Sequence, residues 1–120
     1  MNSIQLVGRL TADPELRFTG GRTPVCTIRL AVPGRRRKDE TDPRPTYINV
    51  VTYGGQAEAV ANHMAKGRRV GVTGRLEYRE WKSADNVPHS IYEVVAAQVD
   101  FLDAPPTNGE PTYSDDEESF

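Results

Sequence analysis

Two stretches of the chain, VCTIRLAV (25–32) and TYINVVTY (46–53), alternate between apolar and other residues with a period of two. Successive side chains of a β-strand point to opposite faces, whereas a helix repeats about every 3.6 residues, so both stretches predict strands. Gly- and Pro-containing turns separate further extended patterns at 4–10, 16–19, 68–81 and 89–102. The period changes in GQAEAVANHMAKG, where a helical stripe is formed by Ala57, Val60, Ala61 and Met64.

These patterns amount to about five strands with one short helix between the third and the fourth. Short antiparallel strands joined by loops hide their edges by closing on themselves. The sequence therefore predicts an all-β fold, a five-stranded OB-fold barrel over residues 1–103. Residues 104–120 contain three prolines, few apolar residues and no periodicity, which predicts a disordered acidic tail.

The net charge of −2 averages two unlike regions. Residues 1–103 carry 15 basic and 12 acidic residues, a net charge of +3, whereas residues 104–120 carry five acids and no base. A mildly basic body with an acidic tail is typical of a nucleic-acid binder that also contacts proteins. The chain lacks an apolar run of the roughly 20 residues that span a bilayer, and MNSIQLVGRL does not resemble an export signal, so we expect a cytoplasmic, nucleoid-associated protein. The single Cys26 is expected to be a small buried strand residue.

The candidate binding surface is predicted from which side chains share a face on two of the strands. Tyr47, Asn49 and Tyr53 share one face of the third strand, opposite an apolar face that suits the barrel interior. On the fourth strand the residues that share a face are Arg75, Arg79 and Trp81. Exposed rings can stack on unpaired bases, and arginines neutralise phosphates. The loop 33–45 adds a run of four basic residues for the same purpose, Arg35, Arg36, Arg37 and Lys38.

Each of these features also has a structural explanation. Strand Tyr and Trp residues often pack in half-buried positions, and a basic loop is often only solvated; Tyr78 and Tyr92 are expected in the core or in an interface. Catalysis has little support, because the glycines do not form a phosphate-binding loop motif and the two histidines, His63 and His89, have no cysteine partner at zinc-site spacing. We therefore expect neither an enzyme nor a metal site nor a cofactor.

Four segments together resemble the bacterial single-stranded DNA-binding protein family: VGRLTADPELRFT, VCTIRLAV, TYINVVTYGGQAEAVANHMAKGRRVGVTGRLEYREW and YEVVAAQVDFL. The resemblance covers residues 2–102. It implies an OB-fold homotetramer that wraps single-stranded DNA without a cofactor and without catalysis. By position it assigns base stacking to Tyr47, Tyr53 and Trp81, and groove charge to Arg79 and Lys66. The remaining candidate DNA contacts are Arg9, Asn49, Arg75 and the four basic residues of the loop.

Two departures from the family pattern bear on function. Relatives often carry an aromatic residue in the loop after the second strand, where this chain has Gly34 followed by three arginines. This difference predicts binding that is more sensitive to salt. Relatives also end in an acidic tip with Pro-Phe that docks replication and repair proteins, whereas this chain has Ser119 in place of the proline. The candidate docking residues here are Asp115, Asp116, Glu117, Glu118 and Phe120.

Other interpretations stay open at this point, for the tail and for the whole chain. The tail could be a solubilising segment that competes with DNA, and the short linker would suit a specialised, short-tailed paralogue. The whole chain could instead be an adaptor subunit of a primosome or repair assembly that binds DNA weakly, or an RNA-binding OB module. The favoured interpretation is binding and protection of single-stranded DNA, without sequence preference, during replication, recombination and repair.

Overall fold

The structure, a computed structural model, describes residues 1–34 and 44–103. Within these residues, no helix is long and apolar enough to cross a membrane. The basic run 35–38 and the predicted tail 104–120 lie outside the described residues. The described elements are β1 (Ile4–Leu10), β2 (Glu15–Phe18), β3 (Pro24–Val32), β4 (Thr46–Tyr53), α1 (Gly54–His63), β5 (Arg69–Lys82) and β6 (Pro88–Phe101).

Five of the strands close into a barrel. The sheet runs β1-β5-β6-β4-β3-β2, and an additional pairing of β1 with β3 closes the ring, with β2 outside it on β3. That pairing is short and places Arg9 opposite Ala31 and Leu10 opposite Leu30. β4 and β6 pair in parallel, whereas the other neighbours are antiparallel. The predicted five-stranded barrel with a helix between its third and fourth strands is thus confirmed, and β2 is an additional short strand on β3.

The apolar side chains that point to one side of each strand fill the barrel interior. Ile28 and Leu30 of β3, Val50 of β4 and Val94 of β6 are at most 2% exposed. Each such side chain contributes roughly 1.5–3 kcal/mol by leaving water. The helical stripe packs against them, and Met64, just past the last helical residue, is also buried. Cys26 lies in this core, as predicted, and burial raises the pKa of its thiol.

A β-bulge in the β5–β6 hairpin sets which residues face outward. Thr73 pairs with Gln98 and Gly74 with Ala96, which leaves Ala97 as the extra residue of β6. Beyond the bulge the hairpin continues to its tip with almost all of its β5 residues exposed.

Tyr78 and Tyr92 lie on this extension, 51% and 62% exposed, with their ring centroids 5.0 Å apart. Of the two places expected for these rings, the core is therefore wrong, and an interface stays a prediction. The elements that form the barrel core do not cover this half of the hairpin.

Candidate nucleic-acid interface

The outer face of β4 carries the two predicted tyrosines. Tyr47 and Tyr53 are 52% and 49% exposed, whereas Val50 and Thr52 on the opposite parity are fully buried. Thr52 points inward, where its hydroxyl donates a hydrogen bond to the carbonyl of Cys26 at 2.9 Å. The side chains of TYINVVTY therefore point as the sequence predicted, with the two tyrosine rings outside the barrel.

β6 connects this face to the outward residues of β5. Asn49 pairs with Glu93, and Glu93 pairs with Glu77. Because paired residues share a side of the sheet, the odd-numbered residues of β4 and β5, together with those of β6 that precede the bulge, form one continuous surface. We call this surface the aromatic face; its predicted members are Tyr47, Asn49, Tyr53, Arg75, Arg79 and Trp81.

Trp81 is 40% exposed near the tip of the hairpin. The guanidinium carbon of Arg79 lies 4.6 Å from the centroid of its ring, a cation–π distance. The imidazole of His89, directly opposite on β6, stacks on it with a centroid distance of 5.3 Å and an interplanar angle of 18°. The indole is thus held in place by two neighbours while keeping a substantial free surface.

Two of the arginines on this face are paired with carboxylates. Arg79 donates from Nε to Glu93 at 2.9 Å, and this hydrogen bond is the main reason that the pKa of Arg79 is raised. Glu93 is buried, with its side chain 8% exposed, whereas the Arg79 side chain is half exposed. Arg75 pairs with the exposed Glu77 at 2.7 Å. A phosphate that binds either guanidinium therefore competes with a carboxylate already in place.

Two arginines that the sequence did not single out extend the aromatic face onto β3 and β2. Arg29 donates from an Nη to the Asn49 side-chain oxygen at 3.2 Å, and its guanidinium carbon lies 5.3 Å from the ring centroid of Tyr47. Arg17 on β2 donates to the hydroxyl of Thr27 at 3.1 Å. The outward parity of Arg29 was visible in VCTIRLAV, but its position beside Tyr47 depends on the pairing of β3 with β4.

A cleft of ≈ 340 Å³ lies across the centre of this face. Its lining combines guanidinium, carboxylate, amide and phenol groups: Glu15, Arg17, Thr27, Asn49, Val51, Tyr53, Glu77, Arg79 and Glu93. Its carboxylates offset part of the positive charge that the sequence led us to expect here.

Arg9 and Lys66 lie where β1 ends. Arg9 pairs with Ala31, which in turn pairs with Tyr47, so the register places Arg9 two strands from that ring. Its side chain donates to the carbonyl of Gly67 at 3.0 Å and lies 3.5 Å from a carboxylate oxygen of Asp103. The Lys66 side chain is exposed, and its backbone amide donates to Asp13 at 2.9 Å. The strand register thus places Arg9 on the same cross-strand row as Tyr47, whereas Lys66 lies outside the strands.

The remaining predicted contacts fall outside the described residues: Arg35, Arg36, Arg37 and Lys38 of the loop, and Asp115, Asp116, Glu117, Glu118 and Phe120 of the tail. In residues 1–34 and 44–103, His, Cys, Asp and Glu side chains do not form a group of three or more that could hold a metal ion.

A closed barrel with exposed rings and guanidinium groups on one face defines an OB-fold of the oligonucleotide-binding type. A family model described as the single-strand binding protein family matches residues 1–102, and the chain belongs to that family.

Curated relatives match the chain over a similar length. The chain is 44% identical to single-stranded DNA-binding protein 3 of Clostridium acetobutylicum over 104 residues, which is 86% of this chain and 72% of the relative. It is 45% identical to the single-stranded DNA-binding protein of Clostridium tetani, over 86% of this chain and 71% of the relative. Among solved structures, the Plasmodium falciparum SSB complex with ssDNA superposes with a TM-score of 0.75 at 28% identity, covering 86% of this chain and 96% of that one.

Proposed function

We propose that this protein binds single-stranded DNA without sequence preference and protects it during replication, recombination and repair. The observation that carries the proposal is the exposure of Tyr47, Tyr53 and Trp81 on one face of the barrel together with guanidinium groups. The names of the relatives and of the structural neighbour support the same ligand.

The rings provide the sequence-independent part of the affinity. An unpaired base exposes both of its flat faces, and an aromatic ring can cover one of them without contacting the edge that distinguishes the bases. Stacking contributes about 1–3 kcal/mol per base in single-strand-binding OB-folds, so three rings supply roughly 3–9 kcal/mol before the cost of ordering the strand. A duplex hides these base faces, which explains why the same surface would discriminate against it.

The cations provide the salt-dependent part. Arg79, Arg75 and Arg29 lie between and beside the rings, where the phosphates of a stacked strand would pass. In the free protein their partners are Glu93, Glu77 and the Asn49 amide. Each phosphate contact releases counterions and adds about 0.7 to the slope of log affinity against log salt. We assign further phosphate contacts, along the path of the strand, to Arg17, Arg9, Lys66 and the basic run 35–38.

The proposal extends to assembly and partners. We propose a homotetramer, so that one DNA strand can pass over several aromatic faces, and docking of replication or repair proteins by the acidic tip 115–120. A phenyl ring beside carboxylates suits an apolar pocket edged by Arg or Lys. Neither a catalytic step nor a cofactor is part of this function. Its place is the cytoplasm, with the chromosomal DNA.

Titration of the single tryptophan tests the proposal, because Trp81 lies on the aromatic face and reports contact with bases. We expect quenching by oligo-dT and oligo-dA, with the tightest binding to dT, and little response to duplex DNA. Equal or tighter binding of an RNA oligonucleotide would instead favour an RNA-binding module. Weak binding of every oligonucleotide, with strong capture of partner proteins through residues 113–120, would favour an adaptor subunit.

A further inference from the structure

His89 lies on the aromatic face beside the proposed stacking residues. It pairs directly with Trp81 across the β5–β6 hairpin, and its side chain is exposed. Its imidazole stacks on the indole at 5.3 Å with an angle of 18° between the ring planes. We propose that His89 is a fourth base-stacking ring, and that its protonation adds a positive charge which strengthens the binding of single-stranded DNA. This inference rests on the proposed function.

The geometry supports a stack of two rings that a base can extend. With 18° between their planes, the imidazole and the indole are nearly parallel. A base that extends the stack on the imidazole side contacts the free face of His89, in the way that bases stack on His as well as on Phe, Tyr and Trp in nucleic-acid complexes. His89 is exposed, which leaves surface for that contact.

The charges around this pair favour a DNA strand over a purely structural contact. Arg79 lies over the Trp81 ring, and Lys82 and Glu80 line a cleft together with both rings. Histidine is the side chain type that changes charge between about pH 5 and pH 8. A protonated imidazole keeps its flat face and gains attraction both to the indole and to a nearby phosphate.

The chain offers a matched control, because its only other histidine is His63. That residue ends α1, where its ring lies 6.0 Å from the ring of Phe101, on a different part of the barrel. His89→Phe retains a stacking ring and removes the titratable charge, and His89→Ala removes both. His63→Gln removes a titratable charge away from the aromatic face.

The experiment measures fluorescence anisotropy of labelled oligo-dT at about pH 6 and about pH 8, over a series of salt concentrations, with thermal melting to verify folding. For the wild-type protein and for His63→Gln we expect tighter binding at the lower pH and a salt slope steeper by up to about 0.7, the value of one added phosphate contact. For His89→Phe the affinity at the higher pH should be retained and the pH dependence of the slope lost. For His89→Ala the affinity at the higher pH should fall about fivefold, the low end of stacking effects for one base.

Wild-type behaviour of both His89 variants at both pH values would overturn the role of His89 while leaving the proposed function intact. Loss of the pH dependence in His63→Gln instead would overturn it as well. If the wild-type protein failed to bind oligo-dT at either pH, the proposed function itself would be wrong.

Discussion

Replacing Trp81 by alanine removes the ring that lies nearest the tip of the hairpin on the aromatic face. Stacking on one ring contributes about 1–3 kcal/mol per base. In the free protein, however, the indole already contacts Arg79 at 4.6 Å and His89 at 5.3 Å. Such contacts contribute roughly 0.5–1 kcal/mol each at exposed sites, and a bound base partly replaces them. We therefore expect a loss of about 1–2 kcal/mol per subunit, a factor of roughly 5–30 in affinity.

The assay is fluorescence anisotropy of labelled oligo-dT, because the variant lacks the intrinsic fluorophore. The salt slope should stay unchanged, since the indole carries no charge. The matched control is Tyr92→Ala, which removes a 62% exposed ring from the opposite face of the same hairpin; light scattering checks that both variants assemble as the wild type does. Unchanged affinity in Trp81→Ala, or an equal loss in Tyr92→Ala, would refute the stacking role of the aromatic face.

Three further predictions follow from charge and packing. Substituting glutamine for the arginines at 35–37 should flatten the salt slope by about 0.7 for each lost phosphate contact, and an unchanged slope would show that the loop does not contact DNA. Gly8→Ala should lower the free energy of unfolding by about 2 kcal/mol or more, measured by denaturant melting, because the new Cβ would lie 2.6 Å from the carbonyl oxygen of Ala31 where the barrel closes. The control Gly55→Ala meets no atom within 4 Å and should be neutral. Deletion of 110–120 should leave or raise affinity for oligo-dT, and a large loss would contradict the proposed role of the tail.

The sequence predicts which way a side chain points better than which residues meet. A strand alternates strictly, so the outward positions of Tyr47, Tyr53 and Trp81 followed from the apolar parity of their own strands. The contact of Arg29 with Asn49 depends instead on how β3 pairs with β4, which is set by the whole barrel. The alternation within each strand therefore predicted the outward rings, but it did not predict that Arg29 lies next to one of them.

The core position expected as one alternative for Tyr78 was wrong for a related reason. Its parity matches that of Val70 and Val72, which are buried, so the pattern alone suggested a core residue. The barrel encloses only the first part of β5, whereas the rest of this 14-residue strand extends outward with β6. How far a hairpin extends past its core depends on the lengths of the other strands, and a pattern within one strand does not contain that information.

The most direct test of the central claim is to determine which rings touch the bases. Photo-cross-linking of oligo-dU that carries iodinated bases, followed by mass spectrometry of the peptides, reports those rings. We predict adducts at Tyr47, Tyr53 and Trp81, on the aromatic face. Adducts confined to Tyr78 and Tyr92, on the opposite face of the hairpin, would contradict the account.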